Sequence, residues 1–124
     1  MKAKYTRLYP DDSGESHFEE LETQLAPADF APPSLPLDLS PPIPCQEFAF
    51  LGAPAGWVSD WHVSSSRNVF VVVSGEWEIQ ASDGQVRRFG PNTVLLVEDT
   101  SGKGHRSRVV SDTESLAVAI RLKD

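Results

Sequence analysis

From residue 46 to the end, the chain alternates short apolar runs with turn residues. Strand-like runs lie at 46–51, 56–63, 69–73, 76–80, 86–89, 94–97, 105–110 and 115–122. Most are separated by turn chemistry: Ala53-Pro54-Ala55-Gly56, Ser74-Gly75, Ser82-Asp83-Gly84, Gly90-Pro91-Asn92 and Ser101-Gly102-Lys103-Gly104. Short strands at this spacing predict an antiparallel sandwich or barrel. Asp83-Gly84 between two alternating runs predicts a hairpin. No long helical period exists, which removes parallel α/β folds.

The first part of the chain reads differently. Residues 4–9 alternate loosely as a short strand, and Pro10 to Gly14 form a turn cluster. Residues 16–25 fit two patterns. Ser16 with Glu19 resembles a capping box before a helical face of Phe18, Leu21 and Leu25. Leu21, Thr23 and Leu25 also alternate as in a strand, and the β character of the rest favours strand. Residues 27–44 hold seven of the ten prolines together with Phe30, Leu35, Leu37 and Leu39. Proline excludes a helix or central strand there. The segment is too apolar for a free linker, so an extended arm over a sheet or another subunit is expected. The organisation is thus residues 1–45, N-terminal strands and arm packed on the barrel, and residues 46–124, the barrel, within one structural domain.

Composition narrows the function. A chain of 124 residues has room for one core. A net charge of −7 argues against nucleic acid and against an anionic membrane surface. No apolar run is long enough to span a bilayer, and the first residues lack a signal-peptide core. The single Cys45 cannot form an internal disulfide. A cytoplasmic protein is expected.

The segment 56–75 carries the most specific spacing. Gly56, five residues, His62, one residue, Ser64, three residues, Asn68, six residues and Gly75 follow one another. This resembles the first motif of the cupins, G-x5-H-x-H-x3-E-x6-G, with Ser64 at the second histidine and Asn68 at the glutamate. Gly102 and His105 match the G-x2-H part of the second motif. Thr100 replaces its proline, Val109 its asparagine, and the run VEDTSGKGH carries an insertion. The resemblance covers about residues 46–122. It implies an all-β, antiparallel jelly-roll β-barrel with an N-terminal extended arm, and pairing of two copies through sheet edges and exchanged arms, hence a homodimer.

The same resemblance implies that His62 and His105 face one pocket. Alternation puts Asp60, His62 and Ser64 on one face, and Asn68, Phe70 and Val72 on another inward face. Phe70, Val72 and Leu96 are expected to line the pocket, with Ser64, Asn68 and Arg67 as further contacts. The full motif would hold a divalent metal (iron, zinc, manganese or nickel) on three histidines and a glutamate. Here only His62 and His105 remain, with Asp60, Glu98, Asp99 or His17 as further candidates and Asp60 alone placed by alternation. Glu98 and Asp99 together also form a candidate acid/base pair. Three functions follow: a small-molecule site using His62 and His105 as polar or acid/base groups, a metal-dependent enzyme of dioxygenase or isomerase type, or a role in assembly.

Overall fold

The computed structural model describes all 124 residues and contains strands but no helix. In chain order these are β1 (Lys2–Pro10), β2 (Ser16–Gln24), β3 (Ala26–Ala28), β4 (Leu37–Leu39), β5 (Cys45–Ala53), β6 (Asn68–Ser74), β7 (Trp77–Ala81), β8 (Val86–Phe89), β9 (Val94–Val97), β10 (His105–Val109) and β11 (Ser115–Leu122). No helix is long and apolar enough to cross a membrane. A six-stranded sheet runs β2-β1-β9-β6-β11-β5, and a three-stranded sheet runs β10-β7-β8. The two sheets remain separate, so the jelly roll is an open sandwich and not a closed barrel.

The core is built by period-two alternation. Leu8, Phe18, Val72, Trp77, Ile79, Phe89, Leu95 and Val109 point inward from both sheets and form one cluster. The Trp77 indole is held at depth because its N–H donates to Ser115 Oγ at 2.7 Å, which satisfies the ring's one polar group. The Asp83-Gly84 hairpin forms as expected. Ala81 N–H donates to Gln85 O at 2.9 Å across a three-residue loop, and Gly84 takes the left-handed φ of 94° that closes such a loop.

Residues 16–25 resolve as strand: β2 pairs with β1 along its whole length, from Pro10↔Ser16 to Lys2↔Gln24. The expected strand at 56–63 does not form. Two isolated bridges, Val58↔Arg108 and His62↔His105, join this segment to β10, with further backbone bonds between Trp57 and Val109 and between Ser59 and Ser107. Between the bridges three residues on one side face two on the other, so the extra residue breaks the ladder as a bulge does. The Ser59 hydroxyl fills part of the gap by accepting from Ser107 N–H at 2.9 Å.

The six-stranded sheet is apolar on both faces in its middle. Paired positions across strands place Phe50, Val118, Val71 and Val94 in one outward row, and Phe48, Ile120, Val69 and Leu96 in the next. Leu96 therefore faces away from the pocket it was expected to line; its neighbours Leu95 and Val97 face inward. In the arm, β3 pairs only with β4, and Phe30, Leu35, Leu37 and Ile43 are exposed on the single chain.

Candidate functional site

A cavity of about 340 Å³ opens between the sheets at the end where the 56–63 segment meets β10. Trp57, Phe70 and Trp77 supply its aromatic wall. Trp57 and Phe70 both stand edge-on to Trp77, at ring centroid distances of 5.7 and 5.5 Å. Leu51, Ile79, Leu95 and Val97 add aliphatic surface. The polar lining is His62, Ser64, Asn68, His105 and Ser107.

The two imidazoles meet here, their ring centroids 4.6 Å apart. Their backbones hold them in place: His62 N–H donates to His105 O and His105 N–H to His62 O, both at 2.9 Å. That reciprocal pair requires Gly104. A Cβ at Gly104 would stand 2.1 Å from His62 O, and its φ is 74°. Only glycine permits this approach at that backbone angle.

Each imidazole is also fixed at Nδ1. His62 Nδ1 lies 2.9 Å from the backbone oxygen of Asp60, and His105 Nδ1 lies 2.5 Å from Asp99 Oδ2. Both partners are acceptors, so each Nδ1 carries a proton, and a ring in its neutral form keeps its lone pair on Nε2. Asp99 is completely buried. Its other oxygen, Oδ1, has no hydrogen-bond partner. Its partnership with His105 is thus its main compensation for leaving water.

The expected residues divide. His62, His105, Ser64, Asn68 and Phe70 converge on the cavity. Val72 lies in the packed core, 2% exposed, and not in the wall. Asp60 touches His62 only through its backbone oxygen, because the segment is irregular and alternation fails there. Arg67 is drawn away: its guanidinium binds Asp124 and Glu98, each at 2.6 Å. Hydrogen bonds to Asp124 and then Glu98 raise its pKa above the ordinary arginine value. Glu98 is held on its other oxygen by Arg7. Burial of Arg7 opposes its charge, but hydrogen bonds to Glu19 and Glu98 outweigh that and raise its pKa. Glu98 is therefore a structural counter-ion, and its neighbour Asp99 is the insertion residue that reaches the site. Trp77, Leu51 and Leu95 were not anticipated as lining, because strand register decides it and the run of letters does not show register; Trp57, also not anticipated, lines the cavity from the irregular 56–63 segment.

Remote from the cavity, His17 sits between Asp11 and Asp83, with Nε2 2.7 Å from one carboxylate and Nδ1 2.8 Å from the other. Asp11 first and Asp83 second raise its pKa above the ordinary histidine value. The hydrogen bond from His17, aided by Ser13, holds Asp11 well below the usual carboxylate range.

The donor set tests a metal centre directly. At the positions of the missing histidine and glutamate, Asn68 Nδ2 donates to Ser64 Oγ at 3.0 Å, and Ser64 Oγ donates to Ser66 O at 2.6 Å. No group of three or more histidine, cysteine, aspartate or glutamate side chains converges as metal ligands. Two imidazoles fall short of the three protein ligands that zinc sites generally need, and of the carboxylate that completes a non-haem iron triad. The residues present do not fit the metal set that the resemblance implies.

No family model matches the chain, and no curated protein matches it. Solved structures do. A cupin domain from Bordetella pertussis Tohama I superposes with a TM-score of 0.50 at 23% identity, covering 62% of this chain and 80% of that one. The Schizosaccharomyces pombe Cnp3 cupin domain superposes with a TM-score of 0.51 at 14% identity, covering 99% of this chain and 84% of that one. With the motif spacing, the two facing sheets and these structural relatives in agreement, the fold of this chain is that of a small cupin domain.

Proposed function

We propose that the cavity is a small-molecule site, with His62 and His105 as its polar contacts and Asp99 as the residue that positions His105. One observation carries this reading: two imidazoles 4.6 Å apart, each fixed at Nδ1, stand at the wall of an aromatic cavity. A largely apolar concavity with a few convergent polar groups is the usual form of a ligand site. A lone pair on Nε2 accepts a hydrogen bond from a ligand. It also takes a proton from a carbon or oxygen acid, the step on which an isomerase depends, and that step needs no metal. A small-molecule library screened by thermal shift tests the reading, because a ligand of the folded state raises Tm by mass action. Compounds that protect the wild type are expected to lose most of that effect on His62→Ala and His105→Ala. Equal protection of all three proteins would overturn the reading.

A second reading, assembly, is favoured by the outward rows of the large sheet. Phe48 and Phe50 are 67% and 70% exposed on the edge strand β5, and Val69, Val71, Val118 and Ile120 continue the surface inward. The same chain carries an apolar arm whose Phe30, Leu35, Leu37 and Ile43 are exposed. Two such chains exchanging arms over these faces would bury both surfaces, and we propose a homodimer of that kind, which can coexist with the ligand site.

A further inference from the structure

Arg106 is the arginine of this chain that meets no carboxylate. Glu98 binds Arg7 and Arg67, Glu20 binds Arg87, Glu78 binds Arg88 and Arg108, and Glu47 binds Arg121. From that exception and the groove around it, we propose a second binding site, for a small carboxylic acid with an apolar body, on the outer face of the three-stranded sheet. It is separate from the cavity between the sheets and does not rest on it.

Strand pairing builds the groove. Arg108 stands beside Val58 on one side and Glu78 on the other, and Arg106 stands beside Gln80. These side chains alternate with the inward His105 and Val109 and so point outward. The groove holds about 470 Å³. Val58 and Ser59 wall it on one side, Glu78 and Gln80 on the other, with Arg106 and Arg108 between them.

Arg106 is held there but not satisfied. Its Nε donates to Gln80 Oε1 at 2.8 Å. Its guanidinium carbon lies 5.1 Å from the centre of the Trp61 ring, within cation–π range. A guanidinium is planar, so stacking on one face leaves its edge open. Gln80 is neutral, so the charge stays uncompensated, and Nη1 and Nη2 make no hydrogen bond to the protein. Those two parallel N–H groups match the two oxygens of a carboxylate. A head already fixed by Gln80 and Trp61 loses little freedom on binding.

The surroundings narrow the ligand. Arg108 gives both Nε and Nη2 to Glu78 Oε1, at 2.9 and 2.7 Å, and Glu78 also takes Arg88. Arg106 is left as the uncompensated cation of the groove, which balances a monoanion and not a phosphate dianion. Val58 is 66% exposed and Trp61 44%, apolar surface on which the body of an acid can rest. The groove has the size of a small-molecule site. An extended peptide would need an open strand edge, and this edge of β10 is taken: Ser59 N–H donates to Ser107 O, Val109 N–H to Trp57 O, and His62 and His105 exchange both bonds.

Four probes test the site: phenylacetate, phenylacetamide, phenyl phosphate and the peptide acetyl-Ala-Glu-Phe-Ala-amide. They are titrated at roughly 0.15 M salt, which screens the repulsion from a net charge of −7. The indole N–H resonances are followed in ¹H–¹⁵N spectra; Trp61 reports the groove, whereas Trp57 and Trp77 line the cavity between the sheets. Phenylacetate is expected to shift Trp61 with about millimolar affinity and to leave Trp57 and Trp77 in place. Phenylacetamide, of the same shape without the charge, should bind roughly three- to tenfold more weakly. In Arg106→Gln, phenylacetate should fall to the affinity of the amide, with an unchanged Trp77 resonance showing that the variant is folded. Equal binding of acid and amide, a response from Trp57 and Trp77 alone, or undiminished affinity in Arg106→Gln would overturn the site, as would a Trp61 resonance that no probe moves. Tighter binding of phenyl phosphate would overturn the carboxylate class, and tighter binding of the peptide the small-molecule class.

Discussion

Gly104 and Asp99 are the residues on which the histidine pair depends, and neither is itself a ligand contact. Gly104→Ala would put a methyl group 2.1 Å from His62 O at a backbone angle that side chains avoid. The left-handed conformation alone costs about 1–3 kcal/mol, and the clash adds to it by parting His62 from His105. Thermal denaturation should show a clear fall in Tm; an unchanged Tm would mean that the reciprocal backbone pair is not made. Asp99→Ala leaves the buried His105 Nδ1–H unpaired, at roughly 1–3 kcal/mol. Asp99→Asn keeps an oxygen that can accept from it and should cost much less. Urea unfolding ranks the two variants, and equal losses would count against a positioning role. At this scale the sequence was partly legible. His62 and His105 stood out by spacing, and Asp99 was among the candidate residues. Burial separated it from Glu98, because one side chain of the pair turns in to a histidine and the other turns out to two arginines. Adjacent residues on an irregular loop give no alternation from which to read that.

Among the elements, the β1–β2 turn and the tip of the β7–β8 hairpin are joined by His17 between Asp11 and Asp83. The sign of its pH dependence follows from the shifts. His17 has a raised folded-state value, so its contribution is complete below about 6.5, the ordinary histidine value, and is lost as pH rises through the raised value. Asp11 has a lowered value, so its contribution is complete above about 3.9, the ordinary aspartate value, and is lost as pH falls through the lowered one. The Tm difference between wild type and His17→Gln should therefore be largest at mildly acid pH and shrink toward pH 9. A difference that grows with pH would contradict this pairing. The neighbouring Glu15 follows Asp11 in sign: the hydrogen bond from Lys103, then that from Ser82, lowers its value, so its contribution is lost as pH falls. Most strands were legible from their β-branched runs and turn residues. The 56–63 segment was not, because its partner β10 runs one residue short between the two bridges, which the letters of one segment do not show.

The whole molecule presents more apolar surface than one copy can cover. Strands buried on both faces read as continuous hydrophobic runs, and β6, β9 and β11 read that way although one face is outward here. A stable interface needs on the order of 800 Å² from each partner, and the exposed side chains of the outward rows and the arm are where it would form. Light scattering after gel filtration should give twice the chain mass for the wild type, and Phe48→Asp with Phe50→Asp should give the single chain mass. A monomeric wild type would remove the assembly reading.

By itself the sequence determined the all-β class, the Asp83-Gly84 hairpin, the turn glycines and the spacing that singles out His62 and His105. These rest on local preferences: φ limits, proline's missing donor and the period of two. Only the tertiary structure decided which face of β9 meets the cavity, and that Glu98 is a counter-ion while Asp99 orients His105. The first depends on register between strands distant in sequence, the second on how an irregular loop turns each side chain. A shift of one residue in that register exchanges the inner face of a strand for the outer.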